Sequence, residues 1–130
     1  MAADNIDDPD IVTEVREAFE AYNRAIEIGD TAALNGFFWQ SPKTVRFGPA
    51  EHLFGYEEIS GFRSGVWKPG APRRIEKLIV TTIGRDAGAT WALFRNIDGT
   101  GPVTRQSQTW CRFPEGWRIV AAHVSAPNVP

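Results

Sequence analysis

The sequence predicts an α+β domain, and three observations carry that reading. Apolar residues recur at helical spacing only in the first half of the 130 residues. Four β-rich runs joined by short turns fill the second half. No linker, internal repeat or low-complexity tract separates the halves, so residues 1–130 read as a single domain.

The first helix opens at Asp8-Pro9, where Asp caps and Pro fits a turn whose N–H needs no partner. Ile11, Val15, Phe19, Tyr22 and Ile26 form its apolar stripe, and Glu14, Glu17, Glu20, Arg24 and Glu27 fall on the other side. Gly29 ends it, and Asp30 caps a short second helix to about Phe37. A strand follows over 44–47, then a third helix with Tyr56, Ile59, Phe62 and Val66 on its buried side. After the breaker cluster Lys68-Pro69-Gly70-Ala71-Pro72, strands are expected over about 74–83, 89–96, 103–113 and 117–125. The connections between them are short enough to join antiparallel neighbours.

The last hairpin sets a register. Phe113-Pro114-Glu115-Gly116-Trp117 reads as a three-residue loop pairing Phe113 with Trp117. Trp110 then faces Val120, Gln108 faces Ala122 and Gln106 faces Val124, all on one face. Arg105, Ser107, Thr109, Cys111, Ile119, Ala121, His123 and Ser125 share the other. Neither face of the last strand is plainly polar, so both are expected to be covered: one by the helices, the other by a second copy of the chain.

Composition excludes several classes. Fourteen Lys and Arg against sixteen Asp and Glu give a net charge of −2, without the basic stripe of nucleic-acid binding. No run approaches the ~20 apolar residues of a membrane span. The acidic start, MAADNIDDPD, resembles neither a secretory signal nor a transit peptide, and a cytoplasmic location is expected. The single cysteine, Cys111, cannot form an intramolecular disulfide or a cysteine-built zinc site, and no metal or other cofactor is expected. Five Trp and eight Phe point to a thick core, a lined cavity, or both.

Most acids fall before the first helix, on its outer side, or in caps and turns; Glu76 alone falls on an expected strand. A convergent carboxylate pair of the glycosidase kind is therefore not expected. The two His lack a partner at ligand spacing, and neither a nucleophile elbow nor a glycine-rich phosphate loop is present. What remains is Arg and Tyr. Tyr22 is either a core tyrosine with a backbone partner or a site residue. Arg46, between Val45 and Phe47, is either a solvated edge-strand arginine or a cavity group, and Arg95 is ambiguous in the same way. Arg63 is expected to face water, His123 to lie in an interface, and Cys111 to be inert filling. A cavity whose polar groups are positive and not acidic suits a small anion, because guanidinium binds carboxylate through two parallel donors.

The order of elements and the tail Trp110-Cys-Arg-Phe-Pro-Glu-Gly-Trp-Arg-Ile-Val-Ala-Ala-His-Val-Ser125 resemble the nuclear-transport-factor-2-like fold. That fold is a cone of three N-terminal helices on a strongly curved, cystatin-like antiparallel sheet. Phe37-Phe-Trp39, Arg46-Phe-Gly48, Leu53-Phe-Gly-Tyr-Glu-Glu-Ile59 and Arg105-Gln-Ser-Gln-Thr-Trp110, taken with the tail, resemble the AtzH/HpxZ-like family within it. Members of that family accompany amidase-type hydrolases in the breakdown of small ureides. The resemblance implies conversion of 1,3-dicarboxyurea to allophanate in cyanuric acid catabolism, with Tyr22 and Arg46 carrying the catalysis. It places Arg95, Gln108, Gln106, Trp39 and Trp110 among the substrate-binding residues. The arginine that a related hub domain carries in its last strand is replaced here by Val124.

That chemistry needs a clamp on carboxylates and a proton for the departing nitrogen, with neither metal nor covalent nucleophile. Arg46 with Arg95 would supply the clamp and Tyr22 the proton, a transfer that a neighbouring cation eases. Two other readings stand beside it: a non-catalytic partner of an amidase, and an isomerase or dehydratase relying on Glu76.

Overall fold

The computed structural model describes residues 5–65 and 67–127, so Asp4 and Val66 lie outside the described residues. Helix α1 (Pro9–Ile28) is capped as its sequence requires: the Asp8 carboxylate accepts from Asp10 N at 3.0 Å, and Gly29 closes it at φ 70°. Ile11, Val15, Phe19, Tyr22 and Ala25 form its buried stripe. Ala25 takes the place expected of Ile26, which is half-buried, because the turn from Tyr22 closes after three residues. Helix α2 (Thr31–Gly36) starts where the Asp30 carboxylate accepts from Ala33 N at 3.0 Å. Helix α3 (Tyr56–Gly65) buries Ile59 and Arg63.

Six strands make one sheet: β1 (Val45–Phe47), β2 (His52–Phe54), β3 (Arg73–Ile83), β4 (Ala87–Asn96), β5 (Thr104–Phe113) and β6 (Gly116–Ser125). Their order is β2-β1-β6-β5-β4-β3, antiparallel except for the parallel β1–β6 pair. Strand β2 was not expected. Three residues are too few to show alternation.

Two bulges decide which side chains face the helices. The last turn spans only Pro114 and Glu115, because Gly116, at φ 124°, already pairs with Phe113. The register then shifts between Thr109 and Trp110. Trp110 therefore pairs with Ile119 and not Val120, while Gln108–Ala122 and Gln106–Val124 stand as expected. Ile119 belongs to the core and not to the outer face. The second bulge lies between Ile75 and Lys77, with Glu76 the extra residue. Below it Ile75 pairs with Phe94 and Arg73 with Asn96, which aligns Arg73 with the concave face.

The core fills the space between α1 and that face. Tyr22 meets Phe37, Phe38 and Trp110 edge-on, with ring centroids 5.6, 6.1 and 6.4 Å apart. Phe19 stacks on Phe94 at 6.4 Å. Edge-to-face pairs of this kind are worth ~0.5–1.5 kcal/mol beyond the area they bury. Gly88 lets helix and sheet approach: a Cβ there would lie 3.2 Å from Val15 Cγ2, Thr82 Cγ2 and Thr81 O.

Candidate functional site

At the open end of the cone lies a cavity of about 470 Å³. Its walls come from the end of α1 (Ile26, Glu27), α3 (Arg63), the 67–72 segment (Trp67 and Pro69 to Pro72), and the sheet. The sheet supplies Arg46, Arg73, Asn96, Gln106 and Val124. Three guanidinium groups thus face one small space.

Each arrives by a different local rule. Arg46 sits mid-strand and pairs with Leu53 on one side and Ala122 on the other, so alternation turns it inward with Gln106 and Val124. It is 7% exposed, lies 5.7 Å from the Phe62 ring centroid, and donates through Nη1 to Glu51 Oε1 at 2.6 Å. Gly48 makes that pair possible, because a Cβ there would overlap the Glu51 carboxylate. Arg73 is turned inward by the bulge and lies 3.7 Å from the Phe94 ring centroid. Burial pushes its guanidinium below the ordinary arginine range.

Arg63 is the deepest. It is 3% exposed, its guanidinium carbon lies 4.7 Å from the Trp67 ring centroid, and its Nη2 donates to the Tyr22 hydroxyl oxygen at 2.8 Å. Its Nε and Nη1 are buried without a partner among the described residues. Burial lowers its pKa most; Arg46 adds to the lowering, while Tyr22 opposes it.

The expectation that Arg63 faces water is therefore overturned. One turn of helix beyond Ile59 returns to the core side, and the phenol of α1 is there to receive its donor. Tyr22 is 2% exposed and lies one side chain behind the cavity wall, joined to it through Arg63. Among the described residues no acceptor takes the hydroxyl's own proton.

The other expected residues divide. Gln106 lines the cavity. Gln108 and Trp110 lie deeper, in a relay where Trp110 Nε1 donates to Thr90 Oγ1 at 3.1 Å and Thr90 Oγ1 donates to Gln108 Oε1 at 3.2 Å. Gln108 Nε2 is buried without a partner among the described residues. Arg95 is not at the cavity: it alternates away from buried Phe94 and donates through Nε to Glu76 Oε1 at 2.8 Å. Trp39 stacks on Phe113 at 5.7 Å and does not line the cavity either.

The acid-free interior also needs correction. Glu51 reaches Arg46 from the loop before β2, and Glu27 stands on the cavity wall at the end of α1. Glu51 escaped notice because nothing in a three-residue strand announces the hairpin that carries it. Arg73 escaped because a bulge leaves no periodic signal. Glu76, the strand carboxylate an isomerase would need, pairs outward with Arg95 and Arg74.

On the opposite face of the sheet, Ile79 and Trp91 are exposed beside a groove that Lys77, Arg105, Ser107 and His123 also line. Burial, with Asp86 adding to it, pushes the Cys111 thiol up, so the thiol keeps its proton. Among the described residues no group of three or more His, Cys, Asp or Glu is placed to hold a metal ion. No described helix is long and apolar enough to cross a membrane.

A family model described as AtzH-like matches residues 4–129. A crystal structure of a protein of unknown function from Pectobacterium atrosepticum is 40% identical, covers 96% of this chain and 97% of its own, and superposes with a TM-score of 0.90. A cystatin-like fold protein from Burkholderia xenovorans is 41% identical, with coverages of 96% and 98% and a TM-score of 0.90. A ketosteroid isomerase-like structure from Parabacteroides distasonis, 14% identical over 82% of each chain with a TM-score of 0.68, shares the fold alone. No curated protein matches the chain.

Proposed function

The chain belongs to the AtzH-like family, and from that premise we propose that it is a metal-independent decarboxylating amidohydrolase of ureide catabolism. Its substrate is 1,3-dicarboxyurea and its product allophanate. The observation that carries the reading is the Arg63–Tyr22 hydrogen bond at the edge of an arginine-lined cavity. A buried phenol that accepts from a cation, with its own proton uncommitted, is equipped to give that proton away.

The step balances simply. The bond between one nitrogen and its carboxyl carbon breaks, its electron pair stays on nitrogen, and the carbon leaves as CO₂, which takes up water as bicarbonate and so completes the hydrolysis. The nitrogen takes the Tyr22 proton by way of Arg63, the group that joins the phenol to the cavity wall, and solvent later restores it. Charge developing on that nitrogen falls beside Arg63, where burial makes each favourable contact count for more than in water. Arg46, held by Glu51, presents its remaining donors to the carboxylates, and Gln106 offers an amide beside it.

The test is direct. Freshly prepared dicarboxyurea is supplied to the purified protein, and allophanate is followed against the spontaneous background. Tyr22→Phe and Arg46→Ala variants that keep the fold but turn over at the parent rate would refute the assignment of roles. No excess of allophanate over background in the parent would refute the activity.

We further propose a homodimer through the outer sheet face. Exposed Ile79 and Trp91 support it, standing where a solvated sheet face would alternate to polar side chains. The same face could instead receive an amidase, the occupant expected if the protein were an accessory subunit, and co-purification distinguishes the two.

A further inference from the structure

Arg46 has a counter-charge in Glu51, 2.6 Å away. Arg63 and Arg73 have no carboxylate within ion-pair distance among the described residues. Both line the same cavity, and Arg63 leaves two of its three nitrogens without a partner among the described residues. A buried guanidinium with open donors, as in Arg63, is costly to a folded chain, and half-buried Arg73 in the same space repels it. Such a pair persists where a ligand completes it.

Glu27 is the nearest acid on that wall, but it is exposed and already accepts from Asn23 Nδ2 at 3.2 Å. The rest of the lining is apolar or amide: Ile26, Trp67, Val124, Asn96 and Gln106. A cavity of about 470 Å³ is ample for a chain of five backbone atoms.

We infer that Arg63 and Arg73 are paired carboxylate receptors that hold the two ends of one short, acyclic dicarboxylate, Arg63 the inner end beside Tyr22 and Arg73 the outer. The inference rests on the reading of the cavity as the substrate site, and it adds two receptors to the clamp. Arg46, partly neutralised by Glu51, keeps its remaining donors for the carboxylates, while the two arginines without a counter-charge set the preference for a dianion. Selectivity follows from the number of receptors: a dianion satisfies both, whereas a monoanion leaves one buried and open.

Glutarate tests this without any chemistry, since it has the five-atom backbone of dicarboxyurea and does not react; butyrate is glutarate with one carboxylate replaced by hydrogen. Binding is measured by calorimetry and by the shift in Tm. The parent protein is expected to bind glutarate at least tenfold more tightly than butyrate. Arg73→Gln should bring glutarate down to the butyrate level and leave butyrate itself unchanged. Arg63→Lys, which keeps the charge but loses the planar fork, should weaken both.

Arg73→Gln also loses the contact with Phe94, so its ligand-free Tm does not separate the roles. A merely structural arginine would leave the glutarate-induced rise in Tm larger than the butyrate-induced one when replaced, whereas loss of a receptor makes the two rises equal. Equal affinity of the parent for the two acids, or discrimination that survives in Arg73→Gln, overturns the inference. If Arg63→Lys fails to fold, Arg73→Gln decides alone. Failure of the hydrolase reading is recognisable separately: glutarate discrimination without turnover of dicarboxyurea leaves the receptors in place. Conversely, turnover in Arg73→Gln with unchanged KM removes the receptors and leaves the enzyme.

Discussion

Replacing Glu51 by Gln removes one negative charge and almost no volume, and it leaves the Arg46 guanidinium in a cavity wall with two other arginines. The cost is bounded from both sides. Breaking a fully buried pair costs ~3–5 kcal/mol, and an exposed pair contributes ~0–1 kcal/mol. The side chains here are 9% and 21% exposed, close to the buried limit but not at it, which places the loss at about 2–3 kcal/mol. Unfolding entropy of ~2.1 cal/mol/K per residue converts this into a fall in Tm of roughly 7–11 °C for the whole chain. Circular dichroism melts of parent and Glu51→Gln at neutral pH measure it. The double variant Arg46→Met with Glu51→Gln removes the stranded cation and should recover part of the loss. A fall below about 2 °C in the single variant, or a double variant less stable than the single, would refute the account of Glu51 as the counter-charge of Arg46.

Gly48→Ala should displace the Glu51 carboxylate but cost clearly less than Glu51→Gln, since the atoms it meets are the far end of a flexible side chain, and the same melt reads it. Tyr22→Phe should cut turnover of dicarboxyurea by ~10²-fold or more while costing about 1.5–3 kcal/mol of stability, because it removes the partner of a buried guanidinium. Steady-state rates alongside a denaturant melt separate the two effects. Arg95→Ala should leave kcat and KM at parent values, since that side chain spans the outer face to Glu76; a large fall in kcat/KM would return Arg95 to the site. Asp8→Ala should lower stability by ~1 kcal/mol through loss of the α1 cap, with no change in rate.

The fold was legible wherever physics writes a periodic or punctuated signal. Caps at Asp8, Asp30 and Gly29, the stripe from Ile11 to Tyr22, and the turn clusters between strands all translate directly into elements. Whole-chain motifs lead equally directly to the family. The interior of the cavity was half legible. Gln106 follows from alternation along its strand; Arg46, which the strand pattern left between solvent and cavity, lines the cavity, and Tyr22 lies behind its wall in the helix stripe. Arg63 looked solvated because a charged residue on a short helix usually is; only its distant partner across 41 residues of sequence makes burial tolerable. Arg73 and Ile119 were lost to bulges, each of which breaks the two-residue period on which strand reading rests. Arg95 was misplaced for the opposite reason: it obeys alternation, and alternation turns it out.

The bulge at Glu76 carries a consequence of its own. Straight pairing through β3 would turn Glu76 and Arg74 toward the helices and Arg73 outward, lining the guest chamber with an acid. One surplus amide unit rotates that set, so which charges meet a guest depends on backbone count as well as on side-chain identity. Excising Glu76 would straighten the strand yet keep Arg73 where it is, whereas adding a residue to β4 opposite it would turn Arg73 out and bring Glu76 in beside Arg74.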